Sequence, residues 1–303
     1  MNFGDRVADA VRQRKSQLLL GLDPDPAELL PAARAAATGD SPAELAASAV
    51  EAHCRALVGS AGGACVGVKL QLACFERLGW PGARALAQVT AHARGAGLLV
   101  VADGKRGDVP HTAEAYGQAL LGATETPWGT VPGLGADAVT ANPLLGRDSL
   151  EPIVAAARAA SGGVFVLVRT SNPGAAQIQD VSSGGGPPLR DRLATIVHEL
   201  GADGVGAQGL SDVGAVVAAT EPSLLAALRE LMPNAVLLLP GVGAQGGRVE
   251  DLAPAFAGRP AAALVTVSRS IARAALAAGD ASAARPVAEE LRAAAWGVAT
   301  AGV

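Results

Sequence analysis

Leu98-Leu99-Val100-Val101-Ala102-Asp103-Gly104-Lys105-Arg106-Gly107-Asp108 sets five apolar residues in a row and then four charges within six positions. An uninterrupted apolar run of this length reads as a strand buried on both faces, as strands of a parallel sheet do. The charges mark the place where that strand leaves the core. The same pattern recurs along the chain, in apolar runs at Leu18–Leu22, 65–70, Ala138–Ala141, 164–168, 204–207, 236–239 and 264–267. Between the runs lie Ala- and Leu-rich stretches with helical spacing, at 42–57, 82–96, 149–160 and 222–232. Eight strands alternating with helices fit a (β/α)8 barrel, a fold of about 250 residues. The 303 residues hold such a barrel as a single domain, 1–303, with loop insertions. An open doubly wound sheet is the alternative that alternation alone allows.

No charge run or long linker divides the chain, and no internal repeat is visible beyond the alternation itself. Two Gly- and Pro-rich stretches, 124–135 and 174–188, read as insertions, either surface loops or lids over a site. Three glycines followed by Pro187-Pro188 do not form regular structure, so the second is expected to be a mobile loop.

Composition narrows the function classes. Half of the residues are hydrophobic and 17% are charged, enough apolar surface for a sizeable core. Aromatic residues are only 3%, so Ala, Val and Leu must fill it, which suits the layers inside a barrel. A net charge of −4 argues against nucleic acid as a partner, and the scarcity of rings argues against a base-stacking platform. Cys54, Cys65 and Cys74 form no CxxC pair and are odd in number, as expected of reduced thiols in a cytoplasmic protein. The N-terminal stretch lacks the apolar segment of a signal peptide. Every apolar run breaks well before the roughly 18 residues that a membrane span requires. A soluble, intracellular protein is expected.

The informative residues terminate the apolar runs. Asp23 follows the first and Lys69 lies near the end of the second. Arg169-Thr170-Ser171-Asn172-Pro173-Gly174 follows the fifth, Pro240-Gly241-Val242-Gly243-Ala244-Gln245-Gly246-Gly247 the seventh, and Ser268-Arg269-Ser270 the eighth. In a barrel the C-terminal ends of all strands converge on one mouth, so these distant positions can meet. Lysine and aspartate at a buried rim are costly unless paired, which makes several of them together a candidate site. On a strand Asp103 and Lys105 point to the same face, and Asp108 lies beyond it, where the chain turns into a helix. Two carboxylates beside one lysine would hold it protonated and in place. The Gly-rich 240–247 loop could cradle a phosphate through backbone N–H groups, with the Arg269 guanidinium completing the site. Neither a dinucleotide-binding nor a P-loop signature is present. His53, His92 and His198 fall in helical stretches, and His111 reads as a helix start. The four form no metal-ligand spacing, although Asp103 and Asp108 are ligand types for a hard cation.

Asp103-x-Lys105-x-x-Asp108 with Thr112 four residues on, together with RTSNPGA at 169–175 and PGVGAQGG at 240–247, resembles the orotidine 5′-phosphate decarboxylase family in its longer bacterial form. The resemblance extends from Gly21-Leu22-Asp23 to Ser268-Arg269-Ser270, with Ser268 standing where many members carry glycine. It implies a (β/α)8 barrel acting as a homodimer on orotidine 5′-phosphate, releasing CO2 and UMP without metal or organic cofactor. Lys105 would then donate a proton to C6 of the pyrimidine. Asp103 would sit beside the substrate carboxylate, and Lys69 would hold the network and a ribose hydroxyl. Asp108 and Thr112 would reach into the partner subunit's site. Asp23 would contact the ribose, Ser171 the pyrimidine amide, and Gln245 and Arg269 the phosphate; Asn142, at the rim, receives no role. Two other functions remain open: an Mg2+-dependent sugar-acid-phosphate decarboxylase of the same barrel group, and a catalytically silent nucleotide-binding protein on the same scaffold.

Overall fold

The computed structural model describes residues 1–301. Among these residues ten strands form, β1 Leu18–Leu22, β2 Gly67–Gln71, β3 Leu99–Arg106, β4 Ala123–Thr126, β5 Gly129–Pro132, β6 Ala138–Ala141, β7 Gly163–Arg169, β8 Val213–Val217, β9 Leu237–Leu239 and β10 Ala263–Val267. All but β4 and β5 pair in parallel and close into an eight-stranded barrel in the order β1-β10-β9-β8-β7-β6-β3-β2. The (β/α)8 reading therefore holds, and the open sheet is set aside. The expected helices form at Pro42–Ala61, Gly79–Gly95, Arg147–Ala159 and Pro222–Leu231. Among the described residues, no helix is long and apolar enough to cross a membrane. The three cysteines are free.

The sixth strand is a correction. Residues 204–207 are not a strand; Val213–Val217, buried at every position, is. Gly204 ends a 3-10 turn, its carbonyl accepts from Asn2 Nδ2 (2.6 Å), and the N–H groups of Ala207 and Gln208 donate to the Asp5 carboxylate. The N-terminal helix Phe3–Arg14 thus takes up the backbone groups that a strand would need for its ladder.

That helix closes the floor of the barrel. Phe3, Val7 and Val11 are buried against Leu19, Val101, Phe165, Val216, Leu238 and Leu264, which project inward from β1, β3, β7, β8, β9 and β10. The Phe3 and Phe165 rings meet edge to face, 5.9 Å between centroids. Near the same end, Arg229 lies buried without a carboxylate and donates all five of its N–H groups to the carbonyls of Met232, Ala235, Ala255 and Ala262, at 2.7–3.0 Å.

The two insertions differ from expectation. The first contains an antiparallel hairpin, β4 with β5, built on Thr124, Thr126, Thr130 and Val131, β-formers that outweigh the surrounding Gly and Pro. It connects a helix to the N-terminal end of β6, so it lies on the barrel face opposite the mouth and is no lid. The second follows β7 at the mouth and holds a 3-10 turn, Pro173–Ala175, and a short helix, Ala176–Gln179. It is tied down rather than loose. Asp180 accepts from Arg169 Nε and Nη2 (3.0 and 3.1 Å) and from Arg190 Nη1 (2.7 Å). The 184–187 stretch is irregular, with Gly184 and Gly185 at positive φ.

Candidate active site

The mouth of the barrel opens into a cleft of about 620 Å³. Its polar centre is carried by β2 and β3. Where β3 leaves the ladder its register with β6 shifts between Ala102 and Arg106, and Lys105 adopts φ 49°, a left-handed conformation rare outside glycine. Such strain persists where the surroundings over-determine it. Here the Lys105 N–H donates to Thr140 Oγ1 (2.9 Å), whose own hydroxyl donates to Asp103 Oδ1 (2.8 Å). The kink lets the Lys105 ammonium fold back on Asp103 Oδ1 (2.7 Å), while Lys69 Nζ donates to Oδ2 (2.6 Å). Asp23 Oδ1 completes the row at 3.6 Å from Lys69 Nζ. Charges therefore alternate along the cleft floor as Asp23, Lys69, Asp103, Lys105.

Asp103 and Lys69 are both buried, at 6% and 7% exposure. Burial alone would raise the Asp103 carboxyl, but Lys69 and Lys105 outweigh it and bring the group down from 3.8 to about 2. Burial alone would lower the Lys69 ammonium, yet Asp103 and Asp23 hold it above its ordinary value. Asp103 and Lys69 are therefore both charged at neutral pH, and Lys105, more exposed than either, turns its side chain to the cleft.

The other end of the cleft is built by β7, β9 and β10. The 240–247 loop turns at Gly241, Gly243 and Gly246, all at positive φ. A Cβ on Gly241 would stand 3.1 Å from Gln245 Oε1 and 3.6 Å from Ser171 Cβ, so a glycine here lets Gln245 and Ser171 close over the turn. The loop is less open as a cradle than its glycines suggest. The N–H groups of Gly243, Gly246 and Gly247 donate to the loop's own carbonyls (2.8–3.0 Å). The donors that remain open at this end of the cleft are the Gln245 side chain, Arg269 and the first turn of the helix Arg269–Ala278. Arg269 lines the cleft and makes no ion pair among the described residues. Ser268 is accommodated because residue 21 is glycine: a Cβ there would lie 2.7 Å from Ser268 Cβ.

The cleft thus brings together Asp23, Lys69, Asp103, Lys105, Ser171, Gln245 and Arg269. It does not bring in Asp108 or Thr112. Asp108 accepts from its neighbour's Val109 N–H (2.8 Å) and stands outside the cleft, as does Thr112 on the helix Pro110–Leu120. Within one chain, Lys105 is accordingly flanked by one carboxylate, not two. Asn142 backs the Gly107 turn, its N–H donating to Arg106 O (2.8 Å). Reasoning from sequence missed Thr140 and Gln179, and gave no role to Thr170 and Asn172, on the wall beside Ser171. His53 is a buried structural residue: its Nδ1 accepts from Leu30 N–H (3.3 Å), and burial pushes the imidazole down to about 4. Among the described residues, no three His, Cys, Asp or Glu side chains are grouped to hold a metal ion.

Residues 16–284 match the model of the orotidine 5′-phosphate decarboxylase / HUMPS family. The chain belongs to this family. It is 42% identical over 270 residues to the orotidine 5′-phosphate decarboxylase of Deinococcus radiodurans, covering 89% of this chain and 88% of that one. The decarboxylase of Rhodopirellula baltica is 40% identical over 274 residues, with the same coverage. A crystal structure described as an orotidine 5′-phosphate decarboxylase, from Streptomyces avermitilis, superposes with a TM-score of 0.80 at 33% identity, covering 100% of this chain and 97% of that one.

Proposed function

We propose that the cleft decarboxylates orotidine 5′-phosphate to UMP, the last step of UMP biosynthesis, through the Asp23–Lys69–Asp103–Lys105 row. The row is the observation that carries this reading. When the bond between C6 and the carboxylate breaks, its electron pair stays on C6 and CO2 departs. The ring carbonyls do not delocalise a pair held in the ring plane at C6, so a fixed positive charge beside it is what stabilises it. Lys105 supplies that charge and then transfers a proton from Nζ to C6, leaving a neutral amine that solvent reprotonates. Asp103, anionic down to about pH 2, fixes both lysines and faces the substrate carboxylate. Lys69 and Asp23 hold the ribose, Ser171 the pyrimidine amide, and Gln245 with Arg269 the phosphate. Binding energy from the distant phosphate orders the array around C6.

Asp108 and Thr112 enter this scheme through a second copy of the chain, with Asp108 flanking the partner's Lys105. The exposed apolar side chains Val109, Leu144 and Leu145, next to the turn that carries Asp108, give a homodimer a surface to bury. The test is the ultraviolet absorbance of orotidine 5′-phosphate mixed with purified protein in EDTA. A steady fall of the orotate band with UMP as product is expected. No change with folded protein overturns the proposal, and Mg2+-dependent decarboxylation of a sugar-acid phosphate would then transfer the site to that substrate.

A further inference from the structure

The wall beside Ser171 carries a polar cluster to which the reaction assigns no part. Thr170 N–H donates to Gln179 Oε1 (2.8 Å), Gln179 Nε2 donates to Thr170 Oγ1 (3.0 Å), and Thr170 Oγ1 donates to Asn172 Oδ1 (2.7 Å). The hydroxyl has one proton and two acceptors in reach; the shorter bond, to Asn172 Oδ1, takes it in preference to Gln179 Oε1 at 3.3 Å, and this holds both amide oxygens inside the cluster. The two amide oxygens are used as acceptors inside the cluster. What remains for the cleft is donors: the NH2 of Asn172 and the second N–H of Gln179, both residues lining the cleft. Asp180, next in sequence to Gln179, is clamped by the buried Arg169, which sets the cluster on β7 rather than on a free loop.

We infer that Asn172 and Gln179, oriented by Thr170, read the base by donating to ring carbonyl oxygens, and so select a uracil-type ring over a cytosine-type ring. The inference rests on the nucleotide reading of the cleft given above. A carbonyl at the ring edge accepts from such donors, whereas an exocyclic amino group sets donor against donor and leaves both unpaired. The phosphate end, at Gln245 and Arg269, and the sugar end, at Asp23 and Lys69, are already defined, which leaves this wall to the base.

Asn172→Asp is the decisive variant. Asn172 is exposed, so the fold tolerates the change, and Oδ1 still accepts from Thr170 while an acceptor oxygen replaces the donating NH2. Dissociation constants of UMP and CMP are measured by calorimetry, which does not depend on turnover. Both nucleotides carry the same phosphate, so repulsion by the new carboxylate cancels in their ratio. The preference for UMP over CMP is expected to fall at least tenfold, and KM for orotidine 5′-phosphate to rise about tenfold. Thr170→Val, which removes the bridging hydroxyl, should also lower the preference, and Thr170→Ser should restore it. A preference unmoved in both Asn172→Asp and Thr170→Val overturns the inference. A wild-type protein that binds neither nucleotide instead overturns the nucleotide reading itself.

Discussion

Replacing Asp103 by asparagine tests the centre of the site through stability as well as rate. In the folded chain its carboxylate accepts from two ammonium groups and a hydroxyl and titrates at about 2, against 3.8 for an unperturbed aspartate. That difference corresponds to about 2.5 kcal/mol favouring the folded, ionised form. Asparagine cannot offer an acceptor to both lysines, and one end of its amide would set an NH2 against an ammonium. Lys69 would keep only Asp23, at 3.6 Å, for its buried charge. The variant should therefore be about 3 kcal/mol less stable at pH 7 by urea unfolding, and its kcat should fall by a factor of about 10²–10³ or more. A depressed carboxyl gives stability that is complete above the unfolded value of 3.8 and is lost as the pH falls toward 2. The gap between wild type and variant should hold steady from pH 8 to pH 5. It should then shrink by about 0.6 kcal/mol at pH 3.5 and about 1 kcal/mol at pH 3. A gap under about 1 kcal/mol at pH 7, or one that widens in acid, would refute the account of Asp103 as the clamp between two cations.

Mixing inactive Lys105→Ala with inactive Asp108→Ala protein should restore part of the activity, because a hybrid dimer has one site free of both changes; absence of recovery after subunit exchange would remove Asp108 from the partner's site. Arg269→Ala should raise KM for orotidine 5′-phosphate by one to two orders of magnitude, the loss of a charge-assisted pair worth about 1.5–3 kcal/mol, with the thermal midpoint nearly unchanged. An unmoved KM would take Arg269 out of phosphate binding. Arg229→Met should cost about 4 kcal/mol in urea unfolding, since buried carbonyls lose their donors at about 1–3 kcal/mol each. A loss under about 1 kcal/mol would mean that those carbonyls find other partners.

The barrel was legible in the sequence because strands buried on both faces need no alternation, and runs such as Leu18–Leu22 and Ala138–Ala141 show it. The sixth strand was misplaced because 204–207 and Val213–Val217 are both short apolar runs. What separates them is the claim of Asn2 and Asp5, some 200 residues away, on the backbone of the first. The β4–β5 hairpin was hidden by its glycines and prolines. At the site, Asp23, Lys69, Asp103 and Lys105 were legible because a charge ending an apolar run has few reasons to be there. The parts played by Thr140, Thr170, Asn172 and Gln179 were not, because a neutral hydroxyl or amide carries no such contrast until its partners are in place. Asp108 was singled out as the second carboxylate beside Lys105, which one chain does not make it; its place in a partner's site, and Thr112 altogether, were reached by family resemblance, and one chain alone leaves both outside the cleft.

The helix that closes the barrel floor imposes an order on synthesis. Phe3–Arg14 leaves the ribosome before any strand, yet its seat includes Leu264, on the last strand to emerge. Throughout translation the apolar stripe of Phe3, Val7 and Val11 has no finished place to go, and its longest-range contacts span about 260 residues of chain. A helix made before every strand of the barrel is seated only with the last of them, so floor and barrel complete in one late event, and a nascent chain stalled before β10 carries an unseated apolar helix for chaperones to hold.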